Sequence, residues 1–409
     1  MRKSFLLMAL AALLMLAGAV SAQDQVTLEV WTGSSSPVEN DFKTAQVAAF
    51  MEANPNITVN LLIAPDYGTL IQAALASGDY PDVFTVGQFD LPSYVDSGVL
   101  MPAGDSIENV DDIYPSLLQA FTGPDGEVYA VPKDFSTLGL LYNKDLFDAA
   151  GVEYPTADWT WDDMRAAAQA IADLGQEGVT GFSAGADINR WLAFFYGNGA
   201  VIADDEGMSG VNSEAGVVAL DFYSGFVRDG IGALPSDLNG SGWNGEAFGR
   251  GLAGMTVEGN WAIGYLNEQF PELNWGVAEI PMSPAGMRSS LTFTEGWAVG
   301  ASTENPEEAW ALVNFMTGSE GAADVATAGF GVMPARSSSG EAWITTRGEE
   351  YQPFVSAAEY AVAPVFPLGF GDFNTAFVEA TNDVMAGTAD PQAALDEVAD
   401  VWNEIQAEQ

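Results

Sequence analysis

The amino-terminal part of the chain alternates between two periods of apolar and polar positions. Val26–Trp31 and Ile57–Ile63 have the short apolar and alternating patterns that are typical of strands. Between them, Ser36–Glu39 has capping-box spacing with proline at the first helical position, apolar residues then recur at helical spacing, and Asn54-Pro55 ends the helix. A strand, a helix and a strand in succession predict an α/β fold in which helices cover a sheet.

The same alternation continues in the next unit. Tyr67–Ala76 has the pattern of a helix that Gly78 ends, and Pro81–Gly87 leads into a strand. Gln88–Asp90 follows the carboxyl end of that strand. Open α/β sheets place ligands beyond the carboxyl ends of their strands.

A further cluster of β-branched, aromatic and apolar residues carries the chain toward its middle. It predicts two short strands, one at Val128–Ala130 and one at Leu138–Tyr142. The segment Pro132–Thr137 is polar and contains a proline that cannot donate to a ladder, so we interpret it as a link between the two strands. A short helix then begins at Asn143 and ends at Gly151.

The remaining pattern contains no internal repeat and no long linker. It predicts a helix that begins at Thr160, a strand in Gly178–Ala184, helices in Arg190–Tyr196 and Val217–Val227, a helix from Asn305 to Gly318, and closing helices around Asp390-Pro391.

Three of these segments together resemble one protein family. They are LIQAALASGDYPDVFTVG at 70–87, YAVPKDFSTLGLLYNKDLFDAAGV at 129–152 and GLAGMTVEGNWAIGY at 251–265. The chain is similar over most of its length to the bacterial extracellular solute-binding proteins of ABC importers, in the sugar-binding branch that includes maltose-binding proteins. The resemblance implies an α/β, two-lobed periplasmic-binding-protein fold of type II. Each lobe would be a β-sheet flanked by helices, with the ligand cleft between the lobes.

The resemblance also implies where the chain passes between the lobes. The crossings would be 133–136, 292–294 and 334–336. The amino-terminal lobe would then comprise 23–132 and 295–333, and the carboxyl-terminal lobe 137–291 and 337–409.

The first residues have the pattern of a secretory signal. Arg2-Lys3 precedes an apolar run at Phe5–Leu16, and Val20–Ala22 gives a cleavage site before Gln23. The chain has no cysteine, so it lacks the residue that anchors bacterial lipoproteins. We therefore expect an exported, soluble, periplasmic protein.

Composition excludes several function classes. Among 409 residues there is neither cysteine nor histidine, which removes thiolate and imidazole metal sites and the Ser-His and Cys-His catalytic arrangements. Lys and Arg total 12 against 57 Asp and Glu, a balance that opposes nucleic-acid binding. We expect no cofactor and no metal. A calcium-loop start at Asp237–Ser241 lacks its final carboxylate, because Phe248 stands there.

The resemblance places the candidate ligand-binding residues at the strand ends and crossings. Hydroxyl, amide and carboxylate groups would bind sugar hydroxyls, and tryptophans would stack on sugar rings. The candidates are Ser34, Ser35, Tyr67, Gln88, Asp90, Asp134, Trp191, Trp243, Trp261, Glu295, Trp297 and Arg336.

Some of these residues have a plainer interpretation. Trp191 and Trp261 have the spacing of core aromatic residues. Glu295 and Arg336 would equally well form an ion pair that braces the hinge.

The expected function is capture of a sugar or oligosaccharide by lobe closure and its delivery to a membrane permease. The protein would be a monomer. Only Lys133, Arg190, Arg288 and Arg336 lie near the suspected cleft, which favours an uncharged ligand. A polyamine or other small solute is an alternative ligand for the same receptor role. A secreted glycoside hydrolase that uses Asp134, Glu258 or Glu295 is the alternative from another class.

Overall fold

The computed structural model describes residues 25–34, 36–204, 206–328, 331–364, 366 and 369–407. The expected signal segment and Ser35 lie outside these ranges. None of the helices in the described ranges is long and apolar enough to span a bilayer.

The described residues form 11 strands. They are β1 Val26–Gly33, β2 Ile57–Ala64, β3 Val83–Gly87, β4 Ala130–Asn143, β5 Thr180–Ser183, β6 Gly232–Ala233, β7 Ala253–Gly259, β8 Trp275–Ala278, β9 Ser290–Val299, β10 Met333–Pro334 and β11 Ala361–Val362.

Helices lie between the strands and after them. They are α1 Pro37–Ala53, α2 Tyr67–Ser77, α3 Leu91–Asp96, α4 Pro115–Ala120, α5 Lys144–Ala150, α6 Trp161–Ala172, α7 Ile188–Gly197, α8 Glu214–Arg228, α9 Asn244–Gly249, α10 Ala262–Gln269, α11 Pro306–Thr317, α12 Ser319–Thr327, α13 Gly340–Arg347, α14 Gln352–Ala357, α15 Phe370–Met385 and α16 Pro391–Ala407.

The strands pair in the order β2-β1-β3-β9-β4-β7-β5-β6, with β10 and β8 also on β4 and β11 on β9. The α/β class predicted from the sequence is therefore confirmed. We call β2, β1 and β3, with the parts of β9 and β4 that continue them, the first half of the sheet. The second half comprises β7, β5, β6 and β8 with the last residues of β4.

Strand β4 belongs to both halves. Its residues 130–137 pair with β9, and its residues 138–142 pair with β7. The two short strands and the intervening link predicted for this region are therefore wrong, because β4 is continuous. The lost donor of Pro132 is tolerated beside a register irregularity, where the ladder to β9 shifts between Pro132 and Asp134.

The three predicted crossings lie side by side in this region. Asp134 and Phe135 pair with β9 on one side and with β10 on the other. The domain limits based on these crossings remain a prediction.

Local sequence signals account for several helix ends. Ser36 accepts from the backbone N–H of Glu39 at the start of α1, and Thr160 and Asp163 form both bonds of a capping box at α6. Gly78 and Gly151 adopt left-handed backbone angles where α2 and α5 end. These predictions are confirmed.

Each half of the sheet is covered by a large apolar core. One core includes Leu28 and Trp297, and another includes Leu138, Trp191 and Trp402. Strands β4 and β9 contribute residues to both cores, and the first core extends to Leu266 and Val277 of the second half.

Candidate ligand site at the crossing strands

A cluster of charged side chains lies where β4 leaves the first half of the sheet. Lys133 Nζ is 2.5 Å from Asp134 Oδ2, 3.5 Å from Glu295 Oε2 and 3.6 Å from Glu39 Oε1. Glu39 also pairs with Lys43 at 3.0 Å. Neighbouring residues of a regular strand point to opposite faces, but the irregularity at Lys133 allows Lys133 and Asp134 to meet.

Burial controls the protonation of this cluster. It raises the pKa of Asp134 to about 6, against the attraction of Lys133. Burial alone would lower the pKa of Lys133, but Asp134, Glu295 and Glu39 together raise it. Lys133 is therefore charged and neutralised within the protein.

Two further residues of the first half, Tyr67 and Asp90, lie near Glu295 of this charged cluster. The Tyr67 hydroxyl donates to the Thr85 carbonyl at 2.6 Å, and burial raises the pKa of Tyr67, so the hydroxyl stays protonated. Burial and the nearby carboxylate of Glu295 raise the pKa of Asp90. Glu295 itself is about half exposed, with 54% of its side chain accessible.

The second half contributes a group built around Glu258, at the end of β7. Glu258 is fully buried, and its Oε2 accepts from Arg190 Nη2 at 2.7 Å and from Trp261 Nε1 at 3.0 Å. Arg190 Nη1 donates to Asp187 Oδ2 at 2.8 Å. The guanidinium carbon of Arg190 lies 5.4 Å from the centroid of the Trp261 ring, within cation–π range.

The charges in the second group oppose the cost of burial. Burial raises the pKa of Glu258, and Arg190 limits that rise. Burial would lower the pKa of Arg190, but Glu258 and Asp187 together raise it. Arg190 is therefore charged and already paired.

The absence of a side chain at Gly259 makes room for the Trp261 ring. A Cβ at Gly259 would lie 2.2 Å from Trp261 Cζ3, so the ring folds back over a backbone that carries no side chain. The Phe293 ring of β9 meets the Trp261 ring edge-on at 5.2 Å. Trp261 is thus half-buried beside β9, and its indole N–H is held by Glu258.

Asn260 ties this segment to both neighbouring passages of the chain. Its Oδ1 accepts from the backbone N–H of Thr137 in β4 at 2.9 Å, and its Nδ2 donates to the Gly331 carbonyl at 2.7 Å. The strand end that carries Trp261 is therefore held next to two of the predicted crossings, because Thr137 directly follows 133–136 and Gly331 lies shortly before 334–336.

Four predicted ligand residues are placed elsewhere. Trp191 is fully buried and packs on Phe195 and Phe377, because α7 presents it to the core of the second half. Trp297 is 3% exposed and lies within the core of the first half. Both predictions of stacking are wrong for this structure.

The structure also contradicts the roles predicted for Arg336. Its guanidinium is completely buried and donates to the carbonyl oxygens of Thr317, Asn109 and Glu108 at 2.6, 2.8 and 2.9 Å. These contacts satisfy backbone acceptors inside the first half, so Arg336 neither faces a ligand nor pairs with Glu295.

Gln88 uses both ends of its amide within the protein. It donates to the Thr292 carbonyl at 3.0 Å and accepts from the Thr294 backbone N–H at 3.0 Å. Gln88 is buried and braces β9, where we had expected a ligand contact.

The other predicted residues have varied surroundings. Ser34 is exposed and accepts from Asn40 Nδ2 at 2.8 Å. Trp243 is half-buried and packs on Tyr265 with centroids 5.1 Å apart. Their ligand contacts, like those of Tyr67, Asp90 and Asp134, remain predictions.

Sequence reasoning missed the partners that hold the site. The single carboxylate Glu258 inside an otherwise apolar strand was a usable signal, and so was the spacing of Asp187 and Arg190 on one helical face. The link from Glu39 to Lys133 joins distant parts of the chain, and nothing local announces it. Among the described residues, no three Asp or Glu side chains are grouped to hold a metal ion.

Comparisons with known proteins identify related chains. The family model described as bacterial extracellular solute-binding protein matches residues 45–352. A protein of Brucella abortus (strain 2308), named as a binding protein, is 26% identical over 97% of this chain and 96% of its own length. The multiple sugar-binding protein of Streptococcus mutans is 26% identical over 73% of this chain and 72% of its own length.

A solved structure shows the same fold. The ABC substrate-binding protein of Listeria monocytogenes, in complex with cycloalternan, superposes with a TM-score of 0.82 and 26% identity. The match covers 94% of this chain and 100% of the Listeria chain.

Proposed function

Because the chain belongs to the bacterial extracellular solute-binding proteins and has their two-lobed fold, we propose that it is the receptor of an ABC importer for a sugar or oligosaccharide. It captures its ligand between the lobes and releases it to a membrane permease. Its action is binding without catalysis.

The observation that carries this proposal is the setting of Trp261. A half-buried indole at the end of β7, with its N–H fixed by Glu258, offers a flat apolar surface beside the crossing strands. Tyr67, Asp90 and Glu295 supply polar groups from the first half. A sugar presents apolar C–H faces and hydroxyl edges, so it matches a flat ring flanked by such groups.

The state of the cations favours an uncharged ligand. Lys133 has three carboxylates within 3.6 Å, and Arg190 has two within 2.8 Å. Arg288 is engaged with Glu279 at 2.6 Å. A phosphate or carboxylate on the ligand would have to compete with these intramolecular partners.

A cationic solute is the second candidate, and the half-exposed Glu295 favours it. The only cation of the described residues paired with Glu295 is Lys133, at 3.5 Å, and Asp90 lies close by. A glycoside hydrolase is disfavoured, because Glu258 is fully buried and Asp134 is paired with Lys133.

Lobe closure supplies the expected mechanism. The proposed lobes are 23–132 with 295–333 and 137–291 with 337–409, joined by crossings at 133–136, 292–294 and 334–336. A ligand that contacts both lobes shifts the population toward the closed state by its difference in affinity for the two states. The protein acts as a periplasmic monomer after removal of residues 1–22.

Thermal denaturation of the chain from Gln23 tests this function. Maltose, maltotetraose, other saccharides, spermidine and glycerol phosphate are each added at increasing concentration. A ligand at a hundred times its dissociation constant stabilises the native state by about 2.7 kcal/mol. Stabilisation by a saccharide, which Trp261→Ala reduces but does not abolish, is the expected result.

A matched tryptophan provides the control. Trp159 is also half-buried in the second half but packs on Phe147, with centroids 6.1 Å apart, so Trp159→Ala should keep the ligand-induced shift. Stabilisation by spermidine alone would replace the sugar with a cationic solute. Stabilisation by glycerol phosphate alone would replace the sugar with another small solute, and no response to any compound of the panel would overturn the receptor proposal.

A further inference from the structure

The indole of Trp261 and the guanidinium of Arg190 share one oxygen atom of Glu258. That oxygen, Oε2, is 3.0 Å from Trp261 Nε1 and 2.7 Å from Arg190 Nη2. Asp187 holds Arg190 through its other terminal nitrogen at 2.8 Å. The carboxylate therefore fixes the edge of the indole ring and, at the same time, the cation that lies next to the ring.

This arrangement is costly for the folded protein. Glu258 is completely buried, and its second oxygen, Oε1, has no hydrogen-bond partner among the described residues. The same holds for Nε of Arg190 and Oδ1 of Asn189. Buried polar atoms without partners destabilise a fold, so a carboxylate placed here has a role other than stability.

The side chain of Trp261 has few other polar constraints. Its indole N–H is its single donor, and Glu258 occupies it. Gly259 leaves room for the ring, while Phe293 touches it edge-on. Removal of the Glu258 acceptor would leave apolar contacts and the nearby Arg190 guanidinium to hold the ring, and these are less directional than a charge-assisted hydrogen bond.

We propose that Glu258 positions Trp261 for stacking on the ring of a bound saccharide, and that it does so without touching the saccharide. This inference rests on the proposed function. It makes Glu258 and Arg190 determinants of affinity that lie behind the binding surface. Their effect on binding passes through Trp261.

Fluorine NMR tests the positional part without any ligand. Labelling with 5-fluorotryptophan gives one resonance for each of the 11 tryptophans, and the loss of one in Trp261→Phe assigns Trp261. Glu258→Gln keeps an acceptor of the same shape but withdraws the charge from Arg190, and Glu258→Met removes the acceptor as well. The Trp261 resonance should move in both variants, and farther in Glu258→Met.

Glu279 offers a matched control. Like Glu258, it accepts hydrogen bonds from an arginine and from an aromatic side chain. Its donors are Arg288 at 2.6 Å and the Tyr360 hydroxyl at 2.9 Å. Glu279→Gln should leave the Trp261 resonance in place. An unmoved Trp261 resonance in both Glu258 variants, or equal movement of all resonances, overturns the proposal.

A double-mutant cycle tests the role in binding, with maltotetraose titrated by calorimetry. Glu258→Gln should weaken maltotetraose binding about tenfold, equivalent to about 1.4 kcal/mol. In the Trp261→Ala background the same change should cause no further loss. An equal loss in both backgrounds would mean that Glu258 acts on the fold or touches the saccharide, and would overturn the proposal.

Failure of the proposed function gives a different result. In that case the wild-type chain binds neither maltotetraose nor any other saccharide of the thermal panel. The proposed role of Glu258 in saccharide stacking is then rejected together with the receptor function. If a saccharide stabilises the wild-type chain but Glu258→Gln weakens binding equally in both backgrounds, only the proposed role of Glu258 is rejected.

Discussion

The ring of Phe89 stacks on the ring of Phe370, with centroids 5.8 Å apart and 13° between the ring planes. Phe89 follows β3 in the first half of the sheet, whereas Phe370 begins α15, which packs on the second half. Phe366 is 5.7 Å from Phe89 and 4.1 Å from Phe370. One ring from the first half thus completes an aromatic cluster on the second.

Loss of this ring should loosen the two lobes. Aromatic pairs contribute about 0.5–1.5 kcal/mol beyond their buried area, so Phe89→Ala should shift the equilibrium toward open forms. We expect a larger radius of gyration by small-angle X-ray scattering and weaker saccharide binding. Phe315→Ala is the control, because that ring pairs with Phe50 within the first half at 5.5 Å. An unchanged radius and affinity in Phe89→Ala would contradict the assignment.

The stability of the protein should depend on Asp134 around pH 6. Burial raises its pKa from 3.8 to about 6, so the folded state binds this proton more tightly than the unfolded chain. Its contribution is therefore complete below about pH 4 and is lost as the pH rises through about 6. The shift of about two units corresponds to about 3 kcal/mol.

Denaturant unfolding at pH 4 to 7 measures this dependence. Between these limits the wild type should lose up to about 3 kcal/mol relative to Asp134→Asn. Asp125→Asn serves as the control. The hydroxyl of Tyr129 lowers the pKa of Asp125, so its effect should appear only as the pH falls below about 4. Parallel pH profiles for the wild type and Asp134→Asn would refute the prediction.

A methyl group at Gly259 should displace the stacking ring. The new Cβ would lie 2.2 Å from Trp261 Cζ3, which forces the indole to move. We expect Gly259→Ala to weaken saccharide binding by about tenfold or more, measured by calorimetry. Gly264→Ala is the matched control, because nothing lies within 4 Å of its added Cβ and α10 should gain up to about 1 kcal/mol. Equal affinities in the two variants would count against Trp261 as the platform.

Arg336 should matter for stability and not for binding. Arg336→Met leaves three buried carbonyl oxygens without their donor, and each such acceptor costs about 1–3 kcal/mol, so the free energy of unfolding should fall by about 3 kcal/mol or more. The saccharide affinity of the folded fraction should stay within about twofold. Arg250→Met should cost only about 0.5 kcal/mol, because Arg250 itself is exposed where it pairs with Glu246. A loss of affinity that exceeds the loss of stability would restore Arg336 to the binding site.

Local signals explain why much of the fold could be predicted. Ser36 and Thr160 cap their helices through contacts only three residues away, and Gly78 ends α2 by its own backbone freedom. Strand β4 was misjudged because its continuity depends on β9, whose residues lie more than 150 positions later. No pattern within 130–143 reveals such a partner.

The site was less predictable for the same reason. Trp191 and Trp261 are both tryptophans in apolar surroundings, and only packing separates a core ring from a half-buried one. The resemblance predicts Arg336 at the site because it ends the third predicted crossing, 334–336, yet its side chain donates to carbonyl groups of its own half. Family resemblance predicts where the crossings lie, whereas residues distant in the sequence set the orientation of each side chain.

The position of β9 in the sheet also sets the order in which the protein can fold. Strand β9 lies between β3 and β4, but the ribosome makes it some 150 residues after β4. Until Ser290–Val299 has been synthesised, β3 and β4 each have an edge with no hydrogen-bonded neighbour. Trp297 is then also missing from the core of the first half. The lobe that begins the chain is thus among the last parts to be completed during synthesis. Such a delay would suit the export across a membrane that we propose, because the chain would still be incompletely folded at that time.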